Sequence, residues 1–140
     1  MNEIQPFHIA IPVHDVIECK KFYTEILECS IGRSSDTWVD LNLFGHQLVI
    51  HYKPGVKKDL HTNPVDGKQV PVPHYGVVLT WEHFQDFSEK LRKKGVDFII
   101  EPYVRFKGQI GEQTTMFFLD PSGNALEFKA FKDRSQLFAS

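Results

Sequence analysis

The chain has 140 residues, 41% of them hydrophobic with 12 phenylalanines, and a formal charge of −2. That length suits one domain with a real core, and the apolar content argues against a disordered chain. Mixed charge near neutrality excludes the basic stripe nucleic acids require, and no apolar run approaches the roughly 20 residues needed to cross a bilayer. Cys19 and Cys29 have neither metal-type nor redox-type spacing. With no secretory signal at the N-terminus, a reduced, cytoplasmic setting is expected. The partner expected is a small molecule, not nucleic acid or membrane.

Phe7–Val13 reads as a first strand, with Pro12 near its end suiting an edge or a last residue. Asp15 can cap the helix that follows, with Glu18 at capping-box spacing. Val16, Cys19, Phe22, Tyr23, Ile26 and Leu27 make one apolar helical face, predicting a helix over Val16–Leu27. A short strand near Cys29–Arg33 follows, then strands at Trp38–Phe44 and Gln47–Tyr52 about a turn at Gly45-His46. Pro54–Pro73, with four prolines, predicts an irregular connection.

His74–Thr80 restarts the pattern as a strand, with Thr80 as cap for a helix carrying Phe84, Phe87, Ser88 and Leu91 on one face. Gly95 suits the helix end. Val96–Glu101 predicts a strand and Pro102–Glu112 a crossing segment. Thr114–Leu119 and Ala125–Phe131 flank Asp120-Pro121-Ser122-Gly123, a proline-and-glycine turn, and predict a hairpin. The polar tail from Lys132 reads as loosely held.

Both halves therefore read β-α-β-β-β, an internal repeat. It predicts an α+β fold of two pseudo-symmetric modules, residues 5–53 and 74–131, joined by a linker at 54–73 and followed by a tail at 132–140. His8 opens one copy and His74 the other, while Gly45 and Gly123 turn their last hairpins. Aligning the hairpins on those glycines sets Val49 against Glu127. If the last strands border one cleft, His8, His74 and Glu127 converge, and two imidazoles plus a carboxylate form the facial triad of non-haem Fe(II) sites.

The His8–Val13 opening, the helix with Phe22-Tyr23 and Leu27, and the ending Asp120–Phe128 (Asp-Pro-Ser-Gly-Asn-Ala-Leu-Glu-Phe) resemble the vicinal oxygen chelate superfamily. That superfamily spans glyoxalase I, type I extradiol dioxygenases, fosfomycin-modifying enzymes and bleomycin-binding proteins. The resemblance covers roughly residues 5–131. It implies a cupped mixed sheet around a divalent metal held by His8, His74 and Glu127, with Fe(II) first and Mn, Zn or Ni as alternatives. Small members commonly pair, which implies a homodimer. Glyoxalase I carries a fourth ligand, a glutamate, where this chain has Val49. The three-ligand set is similar to that of the extradiol dioxygenases, which act on substrates with vicinal oxygens such as catechols. A glyoxalase-like lyase or isomerase and a small-molecule-binding resistance protein are the alternative readings.

Around this centre, Gln47 and His51 share the strand face of Val49, which makes Gln47 a substrate contact and His51 a candidate acid–base group. Tyr103, Arg105 and Lys107 alternate and would place Tyr103 as a catalytic group and Arg105 as a substrate clamp for an anionic or phenolic oxygen. Phe106, Phe117 and Phe118 could shape an aromatic pocket. Glu112 and Gln113 could point to its mouth. His46 is expected to be structural or solvated, and His14, His61 and His83 solvated.

Overall fold

The helices begin where a side-chain acceptor meets the first free amides. In the computed structural model, which describes residues 4–56 and 61–140, Asp15 Oδ1 accepts from Glu18 N at 3.0 Å and opens α1 (Val16–Lys21). Thr80 Oγ1 accepts from His83 N at 3.1 Å and opens α2 (Trp81–Lys93), satisfying amides that no helical carbonyl can reach. The expected first helix does not run uniformly to Leu27. It passes into a π-helical turn over Phe22–Ile26, with Leu27 N donating to Phe22 O. Gly95 ends α2 at φ +79°.

The strands are β1 (His8–Val13), β2 (Ser30–Ser34), β3 (Trp38–Leu43), β4 (His46–Tyr52), β5 (His61–Val65), β6 (Lys68–Val72), β7 (His74–Tyr75), β8 (Val78–Leu79), β9 (Phe98–Arg105), β10 (Gln113–Leu119) and β11 (Ala125–Phe131). The fold is α+β and built from β-α-β-β-β modules. In the first, the order is β1-β4-β3-β2, with β1 parallel to β4 and the other pairs antiparallel. In the second, it is β7-β11-β10-β9, with β7 and β8 both parallel to β11. The chain divides into two units, Met1–Asp59 with Asp120–Asn124, and Leu60–Leu119 with Ala125–Ser140.

Within the first unit, Leu41, Leu48 and Ile50 turn inward and are at most 2% exposed. The Asp-Pro-Ser-Gly-Asn turn belongs here. Asp120 is buried and its carboxylate accepts from the amides of Ser122 and Asn124, from Asn124 Nδ2 and from Tyr23 Oη. Four donors make this burial of a charge tolerable. Within the second unit, Leu126, Phe128 and Ala130 of β11 join Met116 and Phe118 of β10 and Phe84 and Leu91 of α2, all with no exposed surface. Phe128 stacks on Phe118 and meets Phe87 edge-on. Burying each large apolar side chain contributes about 1.5–3 kcal/mol.

Several boundaries differ from the sequence reading. Residues 61–72 are not irregular: β5 and β6 form an antiparallel hairpin about Asp66-Gly67. Its prolines are tolerated because a two-stranded ribbon is all edge. Strand β9 runs through Pro102 to Arg105, again because it lies at a sheet edge. The Gly45 turn falls at Phe44-Gly45, both with positive φ, so His46 already belongs to β4. The expected strand over His74–Thr80 is split at Gly76, where an added Cβ would lie 1.5 Å from the Glu127 carbonyl oxygen. Only glycine allows the two backbones to approach so closely. The tail is also tied down: it makes a 3-10 turn at Arg134–Gln136, and Gln136 Oε1 accepts from Gly111 N at 2.6 Å.

Candidate metal centre and its flanking faces

Strand pairing fixes which side chains share a face. In the second unit, His74 pairs with Ala125, Phe117 with Glu127, Thr115 with Lys129 and with Tyr103, and Gln113 with Arg105. Directly paired residues project to the same side. One face therefore carries His74, Glu127, Lys129, Thr115, Tyr103 and Arg105. The opposite face is the aromatic core under α2.

Glu127 and His74 meet on this face, Oε1 to Nε2 at 3.0 Å. Thr115 Oγ1 donates to Glu127 Oε2, and Lys129 Nζ lies 3.8 Å from that oxygen. Burial pushes the Glu127 carboxyl up, but the hydrogen bonds from His74 and Thr115 and the charge of Lys129 outweigh it, so its pKa lies below the ordinary value. The hydrogen bond to Glu127 raises His74 against the opposing effect of burial, with help from the Pro71 carbonyl.

Pro71 O lies 2.7 Å from His74 Nδ1. A carbonyl and a carboxylate only accept, so both ring nitrogens of His74 carry protons in this arrangement, and Nε2 becomes a lone-pair donor only once its proton leaves. In the first unit His8 is held the same way. Its Nδ1 lies 2.7 Å from Gln47 Oε1, which leaves Nε2 open to solvent. His8 pairs with Gln47 as His74 pairs with Ala125. Each histidine thus stands two residues upstream of the register of Val49 and Glu127, respectively, as the repeat alignment requires.

These residues fit a divalent ion chemically. An imidazole whose second nitrogen is anchored on a carbonyl is the usual form of a histidine ligand, and Glu127 supplies a charged oxygen beside one of them. Among the described residues, no three or more His, Cys, Asp or Glu side chains gather into a group that could hold a metal ion.

The other expected residues fall into place separately. Gln47, Val49 and His51 share one face of β4, as expected. Val49 is 6% exposed and His51 is exposed beside Trp38 across the ladder. An open groove of about 460 Å³ in this unit is lined by Gln47, Asn42, Asp40, Ser30 and Arg33, among others. Tyr103 and Arg105 share a face, but Lys107 lies beyond the end of β9. Phe117 packs edge-on against His74 at 5.1 Å, whereas Phe118 points into the core. Phe106 is exposed, and Arg105 stacks over it. Glu112 accepts from Gly108 N at 3.0 Å, and Gln113 is buried with Oε1 unpartnered. His46 is structural, accepting from Phe7 N at 2.8 Å. His14 is not merely solvated, since both its backbone N and Nδ1 reach Ser122 Oγ. His83 is exposed, and the side chain of His61 lies outside the described residues.

Sequence reasoning missed Thr115, Lys129 and Asp66. The first two were recoverable by counting register outward from the Asp-Pro-Ser-Gly turn. Asp66 accepts from Arg105 Nε at 2.6 Å and Tyr103 Oη at 3.1 Å. Asp66-Gly67 is itself a hairpin signal, masked by the surrounding prolines.

The profile of the Glyoxalase/Bleomycin resistance protein/Dioxygenase superfamily matches residues 5–128, and the chain belongs to that superfamily. A glyoxalase/bleomycin resistance protein/dioxygenase from Alicyclobacillus acidocaldarius is 31% identical, with 96% of each chain covered and a TM-score of 0.82. Two more distant structures share the fold. A genomically encoded fosfomycin resistance protein from Listeria monocytogenes is 14% identical, covering 98% of this chain and 99% of that one, with a TM-score of 0.66. A lactoylglutathione lyase from Agrobacterium tumefaciens is 12% identical, with full coverage of both chains and a TM-score of 0.67. No curated protein matches in sequence. No helix among the described residues is long and apolar enough to cross a membrane.

Proposed function

We propose that this protein is a mononuclear metal-dependent enzyme whose substrate presents two adjacent oxygens, and that its reaction is extradiol-type oxygen insertion. His8, His74 and Glu127 are the assigned ligands. The observation that carries the assignment is the matched anchoring of both imidazoles at Nδ1, on Gln47 and Pro71, which leaves Nε2 of His8 open and aims Nε2 of His74 at the Glu127 carboxylate. Three protein ligands leave about three positions of an octahedron, and Val49 supplies no fourth. That count favours Fe(II) and a substrate bound through both oxygens over the four-ligand glyoxalase arrangement; Mn, Zn or Ni remain the alternative ions.

When bound, the ion supplies Lewis acidity toward the substrate oxygens and an electron path to O₂. The chain's own groups do the rest. Glu127 and Lys129 present a charged, partly buried wall. Arg105 and Tyr103 hold an anionic oxygen of the substrate, and Gln47 orients its polar edge. His51 takes a proton from the substrate hydroxyl and returns it to the product. Both cysteines are buried free thiols, raised by burial to about 11, which suits the cytoplasmic setting assigned here. The assembly assigned is a homodimer, and sedimentation at the mass of one chain, 16.2 kDa, would contradict it.

The test is oxygen uptake by Fe(II)-loaded protein across a panel of catechols. The expected result is uptake matched mole for mole by ring-opened product, lost in His74→Ala and slowed in His51→Ala. No uptake, with turnover of a methylglyoxal–thiol adduct on Zn²⁺ or Ni²⁺, would replace this reading with a glyoxalase-like one. Tight small-molecule binding with no turnover would make the chain a binding protein.

A further inference from the structure

The hairpin of β5 and β6 lies over the same face that carries His74 and Glu127. Its inner side holds Val65, Lys68 and Val70, set by the pairs Val65–Lys68 and Asn63–Val70. Val65 and Val70 pack with Ile100, Phe117 and Tyr103, and Lys68 Nζ sits 4.6 Å above the Tyr103 ring. At the tip, a single oxygen of Asp66 receives both Arg105 Nε and Tyr103 Oη. Two donors converging on one oxygen, on a face otherwise lined by a candidate ligand pair, make an oxyanion clamp, and here a carboxylate of the chain itself fills it.

The attachment is of a kind that can be exchanged. Among the described residues β5 and β6 pair only with each other, and a lone two-stranded hairpin is marginal by itself. The ion pair that closes it is partly exposed, with the Arg105 and Asp66 side chains 21% and 39% accessible, and such pairs are weak. The base is better fixed, since Pro71 O holds His74 Nδ1. The free end is therefore the Asp66-Gly67 tip.

We propose that this hairpin is a built-in latch: Asp66 occupies the Arg105–Tyr103 clamp, and a small-molecule carboxylate displaces it to gain the face of His74 and Glu127. The inference rests on reading that face as the substrate face. It names a carboxylate as the group the substrate places on Arg105, and Asp66 as its internal competitor. Phe117, which touches both the hairpin cluster and the His74 ring, makes the covered face and the candidate ligand one packing unit.

Calorimetric titration with benzoate at constant ionic strength tests it, using the full chain as wild type, Asp66→Asn, Arg105→Gln and the double variant. Asn suits the test because Asp66 sits at φ +52°, a region Asn enters readily and other branched residues do not. Removing the competitor should tighten benzoate binding about fivefold, the span of an exposed ion pair. Arg105→Gln should abolish binding and, in the double variant, the gain. In the wild type, benzoate should speed amide exchange at Gly67–Gln69 while leaving α2 unchanged, a readout that needs no variant. Equal or weaker binding by Asp66→Asn, a gain that survives Arg105→Gln, or unchanged exchange at the tip would overturn the latch. All of these titrations use chelator-stripped protein, so none of their outcomes depends on a bound ion, and failure of the metal assignment and failure of the latch are separate results.

Discussion

Glu127 stays charged in a nearly buried place because His74, Thr115 and Lys129 all turn a donor toward it. In the metal-free protein this makes the His74 pair a titrating contact. His74 is raised above its ordinary 6.5, so its share of stability is full below that pH and is lost as pH climbs through the raised value. Glu127 is lowered beneath its ordinary 4.5, so its share is full above that pH and is lost as pH falls through the lowered value. The pair therefore contributes most between the two ordinary values. Urea denaturation in the presence of a chelator should show Glu127→Gln losing most stability relative to wild type near about pH 5–6, with the gap narrowing well above 7. A gap independent of pH would mean the pair is not ionised. The same proton must leave His74 before its Nε2 can bind a metal, so metal uptake should release protons.

At the scale of elements, the close seam between β11 and the broken strand β7–β8 decides whether His74 and Glu127 meet. Gly76 sits on that seam with its absent Cβ directed at the Glu127 carbonyl. Gly76→Ala should cost about 1–3 kcal/mol of unfolding free energy, measured by denaturant titration, and should weaken metal binding by moving one proposed ligand from the other; wild-type stability would show that the seam yields easily. Much of this level was legible from periodicity alone. The apolar faces of the two helices and the shared face of Gln47, Val49 and His51 follow from 3.6- and two-residue repeats, while the helix starts and the closing hairpin follow from Asp15, Thr80 and the Asp120–Gly123 turn. What was not legible depends on partners distant in sequence. Pro102 reads as a breaker until β9 is known to be an edge, and the prolines around Asp66-Gly67 hide a hairpin for the same reason. The π-helical turn at Phe22–Ile26 leaves no trace in the apolar spacing.

For the whole molecule, the repeat is the organising fact. Both modules show the same strand order and place a histidine at the same register, two residues ahead of Val49 in one and Glu127 in the other. That equivalence was readable from two glycines and two histidines. The hydrogen bonds that anchor each ring were not, since Gln47 and the Pro71 carbonyl become partners only through the fold. The central claim is that one divalent ion is held by His8, His74 and Glu127 together. Anaerobic titration of the chelator-stripped protein with Fe(II), on the wild type and on His8→Ala, His74→Ala and Glu127→Ala, tests it most directly. The account predicts one ion per chain in the wild type and loss of that binding in each of the three variants. Undiminished binding in any one of them, or no binding in the wild type, would contradict it.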